Sequence, residues 1–134
     1  MKITMTVDNV VLSASLNNSE AARDFASMLP LTLPLKDYAA TEKISDLPSR
    51  LSVAGSPEGT SAVKGDIAFY APWGNLAIFY RDSGYASGLI KIGQFDEAKS
   101  VPSDKPSFMA RFELAEKAQA ASPADSATSQ NGLL

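Results

Sequence analysis

The 134-residue sequence contains no cysteine and no histidine. Without cysteine there are no disulfide bonds, thiolate nucleophiles or zinc–cysteine sites. The lack of histidine is the stronger constraint, because it excludes Ser-His and Cys-His catalysis, imidazole metal ligands and the usual general base near neutral pH. Any catalysis must therefore use carboxylates, lysine, tyrosine, backbone groups or desolvation.

Features of three further protein classes are also missing. No apolar run approaches the ~18 residues that a membrane span requires. The 12 basic and 15 acidic residues are scattered, the net charge is −3, and no Lys/Arg cluster is present to bind a nucleic acid. Residues 1–6 alternate apolar and polar side chains, unlike a signal peptide. We therefore expect neither a membrane protein nor a nucleic-acid-binding protein. A cytoplasmic location is the default, although a mature form without its leader would look the same.

The chain is of a length that favours one domain with its own core. Residues 65–93 are its most informative stretch, since seven of the eleven aromatic residues lie between positions 66 and 95. This stretch predicts three strands that are apolar on both faces, which favours a closed or covered sheet. The predicted strands are Ile67–Tyr70, Leu76–Tyr80 and Leu89–Phe95. The first two flank Ala71-Pro72-Trp73-Gly74, a turn sequence with proline second and glycine fourth.

Alternating apolar residues elsewhere predict further strands. Residues 3–7 and 10–16 should form a hairpin around Asp8-Asn9, and Ser107–Leu114 should form the last strand. Asn17-Asn18-Ser19-Glu20 is typical of a helix start. The apolar spacing that follows predicts one amphipathic helix ending before Pro30.

Three regions lack such periodicity. Residues 30–64 are rich in proline and glycine, so we predict turns and short strands there, at Leu33–Tyr38 and Leu51–Val53. A loop containing Gly84 and Gly88 should precede the strand that starts at Leu89. Beyond Glu116 the composition contains no aromatic residue and cannot offset the entropy of ordering. We therefore divide the chain into a domain at 1–114 and a disordered Ala/Ser-rich tail at 115–134.

Few residues stand out as candidates for chemistry. Trp73, at a hairpin tip, either offers a flat stacking surface or caps the core. Arg81 either orients an anion or carbonyl or is a solvated strand end. Glu42 and Lys43 are expected to form a local ion pair in a loop. No spacing of carboxylates indicates a metal site or a glycosidase, and no cofactor motif is met.

Several short segments together are similar to the bacterial and archaeal cyclophilin-like domain family. The resemblance covers about residues 2–114. It is carried by Leu29-Pro30-Leu31-Thr32, Glu42-Lys43, Leu47-Pro48, Gly65-Asp66-Ile67-Ala68-Phe69-Tyr70, Pro72-Trp73, Leu76-Ala77-Ile78-Phe79-Tyr80 and Ile90-Lys91-Ile92-Gly93. It implies a mainly β fold: a closed antiparallel β-barrel of about eight strands, with one or two short helices covering the barrel ends.

The resemblance does not extend to the peptidyl-prolyl isomerase site of true cyclophilins. That site combines an arginine, a Phe-rich pocket, a glutamine and a histidine, and this chain has no histidine. Phe79-Tyr80-Arg81 is only faintly like the Phe-His-Arg of those enzymes. The Phe-Met-x-Gln segment that should follow is replaced by residues 83–88. Likeness of fold alone does not imply function.

Three functions stay open at this point. The first is a binding module, without strong catalysis, whose aromatic groove accepts a peptide segment or a small ligand. Its candidate residues are Glu42, Tyr70, Trp73, Tyr80 and Arg81. The second is an isomerase in which Arg81 polarises the prolyl amide. The third is an accessory subunit that buries the Trp73 hairpin against a partner. The family's occasional association with flavodoxin-like proteins implies one kind of partner.

Overall fold

The structure, a computed structural model, describes residues 1–115. The tail predicted at 115–134 thus lies almost wholly outside the described residues. The described residues contain ten strands, one α-helix and a 3₁₀ turn at Ala98–Ser100. The elements are β1 (Lys2–Val7), β2 (Val10–Leu16), α1 (Glu20–Ser27), β3 (Leu31–Tyr38), β4 (Glu42–Asp46), β5 (Gly59–Ala62), β6 (Asp66–Tyr70), β7 (Asn75–Phe79), β8 (Ser83–Ser87), β9 (Leu89–Phe95) and β10 (Ser107–Leu114).

Eight of the strands form a closed antiparallel barrel in the order β1-β10-β3-β4-β7-β6-β9-β2. The predicted fold class is therefore confirmed. The remaining strands, β5 and β8, pair in a separate two-stranded sheet. Neither of the two helical segments in the described part of the chain is long and apolar enough to cross a membrane.

The barrel closes where β2 pairs with β9, through Ala14–Leu16 and Gly93–Phe95. The two backbones approach very closely at this seam. A Cβ atom on Gly93 would lie 2.4 Å from the carbonyl oxygen of Ser15. Since that oxygen belongs to the backbone and cannot rotate away, glycine is required here.

The barrel interior and one face of α1 form the main core. Ser19 caps the helix by accepting a hydrogen bond from the Ala22 amide at 3.1 Å. The helix buries Ala21, Ala22, Phe25 and Ala26, and the Phe25 ring meets Phe112 of β10 edge-on at 5.7 Å. The predicted amphipathic helix thus covers one end of the barrel and shields the aromatic core from water.

A second apolar cluster lies on the outer surface of the barrel. Outward side chains of β4, β6, β7 and β9 pack there beneath the β5–β8 sheet, which contributes Ala62 and Ala86. The outward members are Ile44, Ala68, Tyr70, Ala77, Phe79 and Leu89. This cluster explains why residues 65–93 are apolar on both faces: one face fills the barrel and the other is covered by a second layer.

Three local predictions were wrong. Residues 83–87, predicted as a loop, form β8. Leu51–Val53 forms no strand, and instead the Leu51 side chain is buried in the main core. Glu42 and Lys43, predicted in a loop, lie in β4. In each case the local sequence preference for strand or loop is weak, and packing against other parts of the chain determines the structure.

The turn between β3 and β4 explains why β4 was difficult to predict. Ala39 and Ala40 form its tip with φ of 56° and 51°, a left-handed conformation that costs roughly 1–2 kcal/mol per alanine. Such a tight turn normally carries Asn-Gly. The sequence Ala-Ala gives no such signal. Hydrogen bonds hold the turn instead: the Ala40 amide donates to Asp37 Oδ2 at 3.2 Å, and the Thr41 hydroxyl donates to the Ala39 carbonyl at 2.9 Å.

Replacing Ala39 by Asn and Ala40 by Gly should therefore stabilise the protein by about 1 kcal/mol, since the strain is relieved at a modest entropic cost. The urea-unfolding midpoint measures this change. Ala54→Gly is the matched control, because Ala54 is exposed and has no positive φ, and it should lower stability slightly. Equal effects of the two variants would contradict the strain argument.

Candidate binding groove and its side pocket

A concave groove of about 700 Å³ runs over the outer surface of β10, β3 and β4. Alternation along β3 sets its floor, because Leu33 and Leu35 are buried in the core while Pro34, Lys36 and Tyr38 are exposed. The groove, called the aromatic groove below, is lined by Pro34, Leu35, Lys36, Tyr38, Ile44, Ser45, Asp46, Trp73, Asn75, Ser107, Phe108 and Met109.

Trp73 stands at the edge of the aromatic groove. It belongs to the turn between β6 and β7, which Arg50 supports by donating a hydrogen bond to the Ala71 carbonyl. The Trp73 side chain is 54% exposed. Its ring meets Tyr38 at 5.3 Å and 90°, and Tyr70 at 5.4 Å and 81°. Trp73 is therefore a surface residue held by two edge-on aromatic contacts and does not cap the barrel core.

A smaller cavity of about 180 Å³ adjoins the aromatic groove. The two cavities share Tyr38, Trp73 and Asn75 in their walls. The smaller cavity, called the side pocket below, is lined by Tyr38, Glu42, Tyr70, Trp73, Asn75, Phe79, Ser83, Ala86 and Leu89. It lies between the barrel surface and β8 and combines an aromatic wall with a few polar groups.

Asn75 is an unusual buried polar residue in this wall. It is only 2% exposed, and its Nδ2 donates a hydrogen bond to the Leu76 carbonyl at 3.1 Å. Its Oδ1 atom is buried and has no hydrogen-bond partner among residues 1–115. A buried acceptor without a donor costs about 1–3 kcal/mol, and such a group requires an explanation.

Glu42 is the acidic group of the side pocket. It faces outward from β4, opposite Tyr38 on one side and Phe79 on the other. Burial, followed by repulsion from the carboxylate of Asp37, raises the pKa of Glu42 above its ordinary value. Within residues 1–115 its carboxyl group makes no hydrogen bond or ion pair. The side pocket therefore holds an acid whose charged form has no partner in the described residues.

A polar cluster of Asp37, Lys43 and Tyr80 lies at the barrel end opposite α1. Lys43 is 1% exposed, and its ammonium group contacts Asp37 Oδ1 at 3.2 Å, the Lys105 carbonyl and the face of the Tyr80 ring. The Tyr80 hydroxyl donates to Asp37 Oδ1 at 2.5 Å. This hydrogen bond and the nearby lysine lower the pKa of Asp37, whereas the same hydrogen bond and burial raise the pKa of Tyr80.

Arg81 lies in a different cleft, of about 560 Å³. Its neighbours there are Lys64, Tyr80, Asp82 and Ser103. This cleft is polar, and the Lys64 amide donates to Asp82 Oδ1 at 2.9 Å. It shares none of its lining residues with the aromatic groove or the side pocket.

The structure thus divides the five candidate residues into two groups. Glu42, Tyr70 and Trp73 meet in the side pocket, whereas Tyr80 and Arg81 lie elsewhere. The predicted ion pair between Glu42 and Lys43 was wrong. Neighbours in a strand point to opposite faces, so Lys43 is buried against Asp37 and Glu42 faces outward.

Sequence reasoning missed Tyr38, Asn75 and Met109. Tyr38 could have been found only through its pairing with Glu42 across the Ala-Ala turn. Met109 is exposed on β10 and joins the groove because β10 pairs with β3. In the sequence Asn75 resembled an ordinary turn residue. Only the folded structure shows that its Oδ1 atom is buried without a hydrogen-bond partner among residues 1–115. In the described range, no group of three or more Asp and Glu side chains is arranged to hold a metal ion.

Comparisons with known proteins relate this chain to one family and one fold. A model described as the cyclophilin-like family matches residues 5–113. The solution structure of a hypothetical protein from Archaeoglobus fulgidus aligns with a TM-score of 0.57 and 17% identity, over 84% of this chain and 93% of that chain. At this identity the likeness shows the fold alone. A comparison with curated proteins gave no significant match.

Asp37→Asn should destabilise the protein near neutral pH, and the effect should fade in acid. The folded-state pKa of Asp37 lies below its ordinary value of 3.8, so its carboxylate stabilises the fold above that pH. The stabilisation is lost as pH falls through the folded pKa. Urea-unfolding midpoints of both proteins, measured from about pH 6 to about pH 2, should therefore converge.

Asp96→Asn is a useful comparison for this test, because Lys2 and Ser15 also hold the pKa of Asp96 below its usual range. The wild-type and Asp96→Asn midpoints should converge in the same direction. A difference between wild type and Asp37→Asn that is constant across the whole pH range would contradict the proposed role of the Asp37 carboxylate.

Proposed function

The chain belongs to the cyclophilin-like family, and from this premise we propose that it is a binding module that accepts a peptide segment, or a ligand of similar size, in the aromatic groove. The observation that carries the proposal is the placement of Tyr38, Trp73 and Met109, three exposed large apolar side chains, along one concavity of about 700 Å³. Exposed apolar surface of this kind, with polar groups at its margin, is typical of an interaction site.

The closed barrel favours recognition through side chains. A peptide can add to a sheet as an extra strand only where the sheet has a free edge, and closure removes the edges of the eight barrel strands. The outer surface of β3, β4 and β10 offers a rigid platform instead. Binding there depends on pockets for individual side chains, and the side pocket is suited to this role.

The isomerase hypothesis receives no specific support. It requires Arg81 beside an apolar pocket, whereas Arg81 lines a polar cleft with Lys64 and Asp82. The accessory-subunit hypothesis uses the same Trp73 surface as our proposal. The concave shape of that surface favours an inserted segment over a flat subunit face, because interface anchors bind best in well-packed pockets.

Trp73→Ala should weaken peptide binding about tenfold or more, since a truncated aromatic anchor typically costs ~2 kcal/mol or more of binding energy. The measurement uses the ¹⁵N-labelled protein titrated with capped pentapeptides whose central residue is Leu, Phe, Pro or Lys. Chemical-shift changes should concentrate on Tyr38, Asp46, Trp73 and Met109, which line the groove.

Tyr85→Ala is the matched control, because Tyr85 is also an exposed aromatic residue but lies outside both cavities. It should leave the affinities unchanged. Shifts centred on the Lys64 and Arg81 cleft, or equal affinities for the wild type and Trp73→Ala, would overturn the proposal.

A further inference from the structure

Among the side chains that line the side pocket, Glu42 and Asn75 carry acceptor oxygens, whereas Tyr38, Tyr70, Trp73 and Ser83 carry groups that can donate. The Leu76 carbonyl can only accept, so the Asn75 atom bonded to it is Nδ2, and Oδ1 is the acceptor left over. The Glu42 carboxylate, in its ionised form, is also an acceptor only. Glu42 and Asn75, on different strands, both line this small cavity, and the Asn75 Oδ1 atom itself is buried.

The aromatic wall of the side pocket favours a positive charge. Tyr38 and Tyr70 each stand nearly perpendicular to Trp73. The face of an aromatic ring attracts a cation that lies within about 6 Å of the ring centroid. Spacings of 5.3 Å and 5.4 Å between the centroids allow one cation to lie within that distance of more than one ring.

The lysines among residues 1–115 leave this position unfilled. Lys43, next to Glu42 in the chain, is turned inward and bound to Asp37. Lys36 lines the aromatic groove but, within residues 1–115, forms no ion pair with Glu42. The negative charge of the side pocket thus has no neutralising partner in the described residues.

The volume of the side pocket and the residues that line it indicate the shape of a suitable ligand. At about 180 Å³ the side pocket is smaller than the ~300–1,000 Å³ of typical small-molecule sites, so it suits a single side chain. Phe79, Ala86 and Leu89 provide apolar contacts for an alkyl stem. An anion would be repelled by Glu42, and an uncharged apolar group would leave the Glu42 carboxylate unpaired.

We infer that the side pocket binds a primary ammonium group on an unbranched alkyl stem, as in a lysine side chain of the peptide that occupies the aromatic groove. The ammonium donates a hydrogen bond to the Glu42 carboxylate and lies against the aromatic wall. This inference rests on the proposed function and specifies its ligand. A free alkylamine has the same chemistry, so the experiment must separate the two sources.

The indole resonance of Trp73 reports binding directly, because the chain contains one tryptophan. Four probes are titrated while the indole N–H is followed by NMR: n-butylammonium, 1-butanol, acetyl-Gly-Lys-Gly-amide and the same peptide with norleucine. In each pair both members carry a four-carbon chain, and only one member carries a positive charge. The cationic member should bind about tenfold more tightly or better, and the lysine peptide should bind more tightly than butylammonium.

Glu42→Gln tests the acidic partner with almost no change of shape. It should weaken butylammonium about tenfold and leave 1-butanol unchanged. The variant should fold, because burial already disfavours the charged form of Glu42. Glu97→Gln is the control, since it removes the same charge from an exposed residue outside both cavities, and its affinities should match those of the wild type.

The outcomes distinguish this inference from the proposed function. Equal binding of both peptides at the groove would overturn the ammonium pocket and leave the peptide-binding module standing. Binding of butylammonium, with neither peptide bound, would support the pocket and overturn the peptide-binding function. An unchanged butylammonium affinity in Glu42→Gln would overturn the inference, and no response to any probe would overturn both.

Discussion

Closure of the barrel decides which side chains of its strands are buried and which are exposed. Once β2 pairs with β9 across Gly93, every strand residue faces either the core or the outer surface, and the choice alternates along the chain. In β4 this alternation buries Lys43 and turns Glu42 outward. One strand thereby supplies a residue to the polar cluster at the barrel end and another to the side pocket.

The second apolar layer gives the binding surface its rigidity. The β5–β8 sheet covers Phe79 and Leu89 on the outside of the barrel, and the side pocket opens at the margin of this layer. A site on packed strands holds its geometry better than one on free loops. The Trp73 turn gains similar support from Arg50 and from its two tyrosine neighbours.

Asp37 connects the barrel end with the side pocket through electrostatics. On the inner side its carboxylate compensates the buried charge of Lys43 and accepts from Tyr80. On the outer side its charge contributes to the raised pKa of Glu42. The strained Ala39-Ala40 turn lies two residues before Glu42, and Glu42 and Asn75 both line the side pocket. Local costs that cluster in this way are typical of functional sites.

The class of fold and most of its strands could be predicted from local patterns in the sequence. The two-faced apolar strands from Ile67 to Phe95, the Asp8-Asn9 hairpin and the helix capped by Ser19 are local patterns, and the structure contains all of them. The sequence also pointed to Glu42, Tyr70 and Trp73, which do meet. Only the tertiary structure separated Tyr80 and Arg81 from them and added Tyr38, Asn75 and Met109. The physical reason is that a periodic pattern records which residues are buried, whereas a site depends on which strands are paired and in what register. That pairing is set by long-range contacts that no short segment encodes.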